Sequence, residues 1–326
     1  METRAATSLR ARAEPSWPRV LVTTLQLWLR RRRRIGWALL AAVLALAAGS
    51  GLLLAQPGHG GAGQRGRAGR PLTPAAAARA EAASWVAAQV SRDALVSCDP
   101  AMCAALRQRG FPAANQVVLG PGGPGPAGSS LVVVTAEVRS ELGGLLASSA
   151  PVVVASFGSA SARTEIRAVA PDGAAAYLSQ LRADVAARAS VGGELLHNPA
   201  VQADPPARQQ LSAGDVDPRL IATIGILAAL HPVHLVSFGD LSPGASPGVP
   251  LRSAVLYGVT HGVTAGNASL GSLRALLLAQ RPPYRPAGIG TVRLAAGRSA
   301  LRLWFAAPVP LGLLDASQPL VTLSPP

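Results

Sequence analysis

A run of five arginines followed by a long uncharged stretch constrains this chain more than any other feature of its sequence. Arg30–Arg34 lead directly into Ile35–Ala55, which contains no charged side chain. In a helix, this apolar stretch would extend about 31 Å, close to the thickness of a bilayer's hydrocarbon core. A helix also satisfies its backbone polar groups internally, as the membrane interior requires. We therefore predict a single transmembrane helix over residues 35–55.

The charge on either side of this stretch predicts its orientation. Residues 1–34 carry nine arginines and two glutamates. The positive-inside rule then keeps this basic segment in the cytoplasm and places residues 56–326 outside the cell. A cleaved signal peptide is the alternative, although its basic and apolar regions would be shorter than those found here. The predicted localisation is the cell membrane, with the lipid bilayer as the first partner and an extracytoplasmic C-terminal domain.

The strongly basic balance does not by itself indicate a nucleic-acid partner. The net charge is +14, and all 30 basic side chains are arginines. About half of this charge lies in residues 1–34, where nine arginines less two glutamates give +7. Aromatic residues make up only 4% of the chain, and the remaining arginines are scattered, so no stacking platform for bases is evident. We expect no nucleic-acid partner. The absence of lysine and the wealth of alanine, glycine and proline are typical of a GC-rich bacterial genome.

The two cysteines are five residues apart, in the sequence Cys98-Asp-Pro-Ala-Met-Cys103. Outside the cytoplasm, such a pair favours a local disulfide. Two free, buried thiols are the alternative. A zinc site would need two further soft ligands, and the neighbouring sequence offers none. We therefore expect a structural disulfide, no metal site and no cofactor.

The sequence beyond residue 55 divides into a tether, an α/β region and a tail. Residues 56–72 are rich in glycine and arginine and predict a flexible linker. From Thr73-Pro74 onward, apolar strands alternate with helical patterns, which favours a layered α/β domain. We divide it into a first unit over residues 73–192 and a second over 193–306, followed by a proline-rich tail over 307–326. The predicted fold class is thus α/β, with a transmembrane helix preceding an extracytoplasmic domain.

An internal similarity suggests where this domain binds its ligand. Residues 145–158 read LLASSAPVVVASFG and residues 226–239 read ILAALHPVHLVSFG, with seven of fourteen positions identical. Two related α/β units would explain the match, although apolar strands that end in a glycine turn also resemble one another by chance. Ligands in open α/β sheets bind beyond the carboxyl ends of strands. The predicted ligand-binding residues are accordingly Ser156, Phe157, Gly158, Ser237, Phe238, Gly239 and Asp240.

Catalytic residues remain unassigned, because each candidate motif lacks its structural context. Ser246 lies in a G-x-S-x-G match, yet the sequence offers no strand before it and no helix after it. His231 and His234, with Asp240, would suit a metal or a catalytic cleft. A partly buried imidazole at a helix end is the alternative interpretation. No pair of carboxylates stands out as acid and base. A binding role is therefore favoured over an enzyme.

Four stretches carry a resemblance to a known family: Ala83–Asp99, Pro151–Val169, Glu194–Val201 and Asp215–Asp240. They resemble the outer C-terminal domain of actinobacterial membrane proteins similar to family-39, ArnT-like glycosyltransferases. In that family the transferase chemistry resides in a multi-span membrane part, whereas this chain has one predicted span. The resemblance therefore implies a detached accessory domain for a cell-envelope glycan or a membrane protein partner. The alternatives are an extracytoplasmic hydrolase or glycosyltransferase-related enzyme, and a structural subunit of a membrane complex.

Overall fold

The computed structural model describes residues 72–123, 125–239, 242–260, 263–264 and 267–314. These residues belong to a unit that spans Arg70–Pro326. The predicted cytoplasmic segment 1–34, helix 35–55 and all but the last residue of the linker 56–72 lie outside the described residues. The same holds for residues 315–326 of the predicted tail.

Eight α-helices occur in the described part of the chain, and several of them begin with a capping side chain followed by a proline. Thr73, Asp99 and Asp217 each accept a hydrogen bond from a backbone N–H of the first turn, and each precedes a proline. Such residues supply the acceptor that a helix start lacks. The helices are α1 Pro74–Gln89, α2 Pro100–Gln108, α3 Ala136–Leu142, α4 Leu145–Ser149, α5 Ala174–His197, α6 Pro205–Ala213, α7 Pro218–Leu230 and α8 Asn267–Ala279.

The strands form two separate sheets, each of which mixes parallel and antiparallel pairs. Sheet 1 has the order β2-β1-β3-β5-β4, and sheet 2 has the order β10-β11-β8-β7-β6 with β9 paired to the end of β8. In sheet 1 the strands are β1 Val96–Cys98, β2 Gln116–Val118, β3 Leu131–Val134, β4 Val152–Phe157 and β5 Thr164–Ala168. In sheet 2 they are β6 Val201–Ala203, β7 Val233–Gly239, β8 Ser253–Thr260, β9 Val263–Thr264, β10 Gly288–Arg293 and β11 Ser299–Trp304.

Sheet 1 is buried on both faces. All four residues of β3 are buried. Leu131 and Val133 pack with α1 and α2 on one face, while Val132 and Val134 pack with α3 and α4 on the other. Alternate residues of a strand point to opposite faces, so a continuous apolar run is what a doubly covered strand requires.

Sheet 2 is covered by helices on one face only. The buried side of its strands, including Leu235, Leu256 and Leu303, packs against apolar residues of α5, α6, α7 and α8. Several of the alternate residues are half-buried or exposed, such as Gln202 on β6, His234 on β7 and Arg302 on β11, whereas Ser253 and Tyr257 on the central strand β8 are buried. This sheet therefore has a hydrophobic inner face and an outer face that no described helix covers.

The fold-class prediction was wrong as a whole, because it joined an α/β domain to a membrane-spanning helix. The described residues form a mixed α/β structure, and none of its helices is long and apolar enough to cross a bilayer. Both sheets mix parallel and antiparallel pairs, so the apolar strands do not form a purely parallel sheet. Only β1–β2, β1–β3 and β6–β7 are parallel pairs between named strands.

The idea of two related α/β units is not supported by the topology that flanks the two similar segments. In both, a strand ends in Ser-Phe-Gly, carries a β-bulge and pairs with an antiparallel strand that follows it. However, β4 is an edge strand of sheet 1, whereas β7 lies between β8 and β6. The partner strands also differ, since β5 continues to the earlier strand β3 and β8 continues to the later strand β11. The similarity is local to the strand and its turn.

Two adjacent glycines in α5 predict opposite effects of the same substitution. A Cβ on Gly192 would lie 2.5 Å from the backbone oxygen of Leu211 in α6, whereas a Cβ on Gly193 would meet nothing within 4 Å. We expect Gly192→Ala to lower the free energy of unfolding by about 1–3 kcal/mol, because the helices must separate. We expect Gly193→Ala to raise it by about 0.5–1 kcal/mol through helix propensity. Urea denaturation measures both, and equal effects would refute the close approach.

Candidate functional site

The first Ser-Phe-Gly segment lies at the free edge of sheet 1, where later residues cover it. The backbone N–H of Ser156 donates a 2.7 Å hydrogen bond to the carbonyl of Pro243. The Phe157 ring lies 6.3 Å from the Trp85 ring of α1, at an interplanar angle of 57°. A Cβ on Gly158 would lie 2.8 Å from the Cβ of Ala78, and its φ is +71°, so this turn requires glycine.

The second Ser-Phe-Gly segment belongs to sheet 2, and its residues make different contacts. Phe238 is buried in the apolar core beneath the helices. Ser237 is half-buried and faces the outer side of the sheet, opposite Val255. The carbonyl of Gly239 accepts a 2.8 Å hydrogen bond from the Ser253 hydroxyl. Asp240 lies outside the described residues, so the predicted ligand-binding set is placed except for this member, and its binding role stays a prediction.

The chain after β7 joins the two segments by pairing with the exposed edge of β4. The Ser246 N–H donates to the carbonyl of Val153, and the Ser246 hydroxyl accepts from the Val153 N–H at 3.0 Å. An uncovered edge strand invites unwanted pairing, and this loop occupies it. Ser246, the central residue of the G-x-S-x-G match, therefore has a structural contact as its main partner.

A buried arginine strengthens the same junction. The Arg252 guanidinium carbon lies 5.3 Å from the centre of the Trp85 ring, within the range of a cation–π contact. The guanidinium also donates to the carbonyls of Gln89 and Phe305 and to the Ser242 hydroxyl. The region around the predicted loops is thus filled by packing and hydrogen bonds between the two sheets.

The cysteines lie within the apolar core beside sheet 1. Cys98 ends β1, Cys103 lies in the first turns of α2, and the two form a disulfide. Both residues are fully buried. The bridge fixes the strand to the helix that follows it, at the point where Asp99 caps that helix.

The histidines near the end of α7 do not share a ligand in the described residues. His231 is exposed and follows the last residue of α7. The Nε2 of His234 lies 2.9 Å from a carboxylate oxygen of Asp204, and its ring stacks on Tyr257 at 4.8 Å. The third member of the predicted cleft, Asp240, is outside the described residues. The observed partner of His234 is therefore a carboxylate that the sequence analysis did not select.

A half-open cavity of about 380 Å³ lies at the start of α5 and is a candidate ligand site. It is lined by the residues just before β3, by the end of β5, by the first turns of α5 and by residues 308–311. Its polar lining includes Ser130, Asp172, Tyr177 and Gln180, and its apolar lining includes Val169 and Leu311. A volume of this size, with a few polar groups set among apolar ones, is typical of small-molecule sites.

The backbone at this cavity leaves donors available. Gly173 precedes α5 and provides no side-chain cap, so the first amides of the helix lack that partner. Asp172, the residue before Gly173, lines the cavity. Unfilled amides at a helix start favour oxygen atoms with partial or full negative charge. Hydroxyl-rich and acidic ligands both supply such oxygens.

A buried polar cluster lies behind the cavity wall. Asp184 and Arg188 form an ion pair with a 2.8 Å contact, and the side chains are 1% and 0% exposed. Burial raises the pKa of the Tyr177 phenol above its ordinary value, and the negative charge of Asp184 raises it further. Tyr177 therefore stays protonated at neutral pH and can both donate and accept a hydrogen bond.

A second, smaller cavity of about 270 Å³ follows β2. It is lined by Leu119, Glu141, Leu142 and the glycine-rich loop that begins at Gly120. The sequence pattern G-x-G-x-x-G begins at this same glycine. The loop leads to strand β3 through a short 3₁₀ turn, so it lacks the helix start that a pyrophosphate would need.

The residues of the larger cavity were missed because their roles depend on distant segments. Ser130, Tyr177 and Leu311 are more than forty residues apart in the chain, and none belongs to a motif. One signal was available: a glycine at the start of a long helix, where a capping side chain is usual.

Comparison with known proteins gives no relative from which a function could be transferred. No protein-family model matches the chain, and no curated protein or solved structure matches it significantly. The proposals below therefore depend on the chemistry of the chain's own residues.

The raised pKa of Tyr177 predicts a loss of stability at high pH. The unfolded chain loses this proton near about pH 10, while the folded chain holds it to higher pH, so the free energy of unfolding falls as pH rises through this window. The chain has no lysine and its two cysteines are bonded, so few other groups change charge there. Tyr177→Phe should reduce the fall, as measured by urea denaturation at about pH 9 and about pH 11.

The matched control is Tyr284→Phe, which changes a half-buried tyrosine in the loop between α8 and β10. Retention of the full wild-type pH dependence by Tyr177→Phe would contradict the assignment.

Proposed function

We propose that residues 72–314 form a binding domain that works outside the cytoplasm and holds a sugar unit of a cell-envelope glycan. The cavity at the start of α5 is the observation that carries this proposal. The Tyr177 ring offers an apolar surface for a sugar ring, while its hydroxyl and the side chains of Asp172 and Gln180 offer hydrogen bonds. Neutral polyols require that combination of an apolar surface and several donors and acceptors.

The disulfide supports the extracytoplasmic part of the proposal. Disulfides persist in oxidising compartments and are rare in the cytosol of mesophiles. The Cys98–Cys103 bridge is fully buried, which protects it from exchange with small thiols. The resemblance to outer domains of glycosyltransferase-related membrane proteins points to the same compartment and to the same class of ligand.

A binding role agrees better with the cavity than a catalytic one. Tyr177 stays protonated, and its neighbour Asp184 is held by Arg188 and by the N–H of Gly312 at 3.0 Å. The one carboxylate in the described lining, Asp172, has no histidine or second carboxylate beside it there to complete an acid–base pair. Groups that are protonated or already paired instead serve to orient a ligand.

Glycan binding is tested with the purified full-length chain and neutral tetrasaccharides of glucose, galactose, mannose and N-acetylglucosamine. We expect at least one to bind with a dissociation constant below about 1 mM by isothermal titration calorimetry. Tyr177→Ala and Gln180→Ala should each weaken binding roughly tenfold, because they remove the ring surface and an amide. Gln108→Ala, at an exposed helical glutamine outside the cavity, is the control. Absence of binding across the panel would contradict the proposal.

The location is tested by the redox state of the cysteines in living cells. Cells are lysed in denaturant with a blocking thiol reagent, and the protein is then labelled with maleimide-polyethylene glycol before or after reduction. We expect labelling only after reduction, because both sulfurs are already bonded. A protein that the label does not modify even after reduction had reduced cysteines, which the reagent blocked at lysis. That result would place the domain in a reducing compartment.

A further inference from the structure

The outer face of sheet 2 carries a group of aromatic and basic side chains, in which Tyr257 itself is buried. We define the open face as Gln202, His234, Tyr257, Arg302 and Trp304, together with Arg298 from the turn between β10 and β11. Cross-strand pairing places Gln202, His234 and Tyr257 in one row. The next rows contain Arg302 opposite Val255, and Trp304 opposite Ser253.

The tryptophan and two glycines shape one end of the open face into a trough. Trp304 pairs with Gly288 of β10, and a Cβ on Gly288 would lie 2.1 Å from the indole ring, so the ring rests directly over the backbone. Gly290 pairs with Arg302, and a Cβ on Gly290 would meet nothing within 4 Å. The position of Gly290 is therefore unfilled, beside Arg302 and two residues along the strand pair from Trp304, and we call this gap along β10 the trough.

The other end of the open face is a fixed stack of rings. His234 lies parallel to Tyr257, with ring centres 4.8 Å apart and an interplanar angle of 7°. The guanidinium carbon of Arg298 lies 5.4 Å from the centre of the Tyr257 ring, and the guanidinium donates a 3.3 Å hydrogen bond to the Tyr257 hydroxyl. A carboxylate oxygen of Asp204 lies within hydrogen-bond distance of the Nε2 of His234. These contacts fix Arg298 next to the rings while leaving its remaining donors available.

The charge of this face is not compensated by nearby carboxylates. Residues 241–314 contain seven arginines and no aspartate or glutamate. Among the described residues, Arg298 and Arg302 take part in no ion pair, and Asp204 is the carboxylate that touches the face. Guanidinium groups present planar forks of donors that fit carboxylate and phosphate oxygens.

We propose that the open face binds an anionic polysaccharide, with its carboxylate or phosphate groups on Arg298 and Arg302. The sugar backbone lies in the trough along β10 and contacts the indole of Trp304. The inference rests on the proposed location outside the cytoplasm, but it does not depend on the cavity at α5. The two sites share no residue, so each can fail without the other.

A polysaccharide suits the open face better than a membrane surface does. The large apolar side chains that are most exposed lie on other elements, such as Leu145 on α4, Leu230 on α7 and Leu278 on α8. Membrane-surface segments bury apolar side chains between the headgroups, and this face presents half-buried ones instead. A trough only one strand wide matches an extended chain rather than a plane.

The test measures binding of polygalacturonate by the full-length chain. Every protein used carries glutamine at Arg30–Arg34, so that this cluster does not bind the polymer. We expect binding that weakens between about 50 and about 300 mM salt, as contacts between charges do. Arg298→Gln with Arg302→Gln should weaken it roughly tenfold or more, while Arg274→Gln with Arg281→Gln, an equal charge change on and after α8, should change it less than about twofold.

Two glycine-to-leucine substitutions test the trough independently of the charges on the open face. Gly290→Leu fills the open space along β10 and should weaken binding of polygalacturonate several-fold. Gly271→Leu adds the same side chain to an open position on α8, where a Cβ meets nothing within 4 Å, and should have no effect. Both variants are first shown to unfold in urea at the wild-type midpoint, and unchanged binding of polygalacturonate by a folded Gly290→Leu variant would contradict the trough.

Three outcomes would overturn the proposal. The first is an equal loss of affinity in both double-arginine variants, which would mean nonspecific attraction. The second is tighter binding through Arg298 and Arg302 to single-stranded DNA than to polygalacturonate. The third is tighter binding through the same residues to vesicles of phosphatidylglycerol. The last two results would assign the face to another class of partner.

Discussion

The buried ion pair of α5 is the interaction on which the described structure most depends. Arg188 has no exposed surface, and it donates to Asp184 and to the carbonyl oxygens of Val216 and Gly248. Asp184 in turn accepts from the N–H of Gly312. A buried charge that loses its partners is costly, so these contacts hold the segment after α6, the loop after β7 and the C-terminal segment against one helix. The cavity wall and the junction between the sheets both follow from this arrangement.

The difference between the two sheets explains where binding surfaces occur. Sheet 1 has helices on both faces and a loop on its free edge, so its strands are used for packing. Sheet 2 has helices on one face, and a half-covered antiparallel sheet can keep polar side chains on the other. The phenylalanines of the two Ser-Phe-Gly segments pack against the apolar cores, whereas Ser237 faces the outer side of sheet 2. The open face lies on the side of sheet 2 that no described helix covers. The cavity lies at one end of β3 and β5 rather than on the covered faces of sheet 1.

Local chemistry was predictable from the sequence, and long-range pairing was not. Thr73, Asp99 and Asp217 were recognisable as caps because a cap depends on the next three residues. Strand direction depends on which strands become neighbours, so β5 was indistinguishable from a parallel strand. The cavity and the stacked rings of His234 and Tyr257 combine segments that no local pattern connects.

The kind of basic residue also bears on how the open face would recognise a ligand. The chain has no lysine, so each cation on this face other than a protonated His234 is a guanidinium. Arginine stays charged throughout the range in which proteins function, and its planar fork loses less freedom on binding than an ammonium on a flexible stem. Arg298 is already ordered over Tyr257, and Trp304 is fixed over Gly288. Because ordering side chains costs free energy on association, a face built from such groups is suited to a weakly structured, charged polymer.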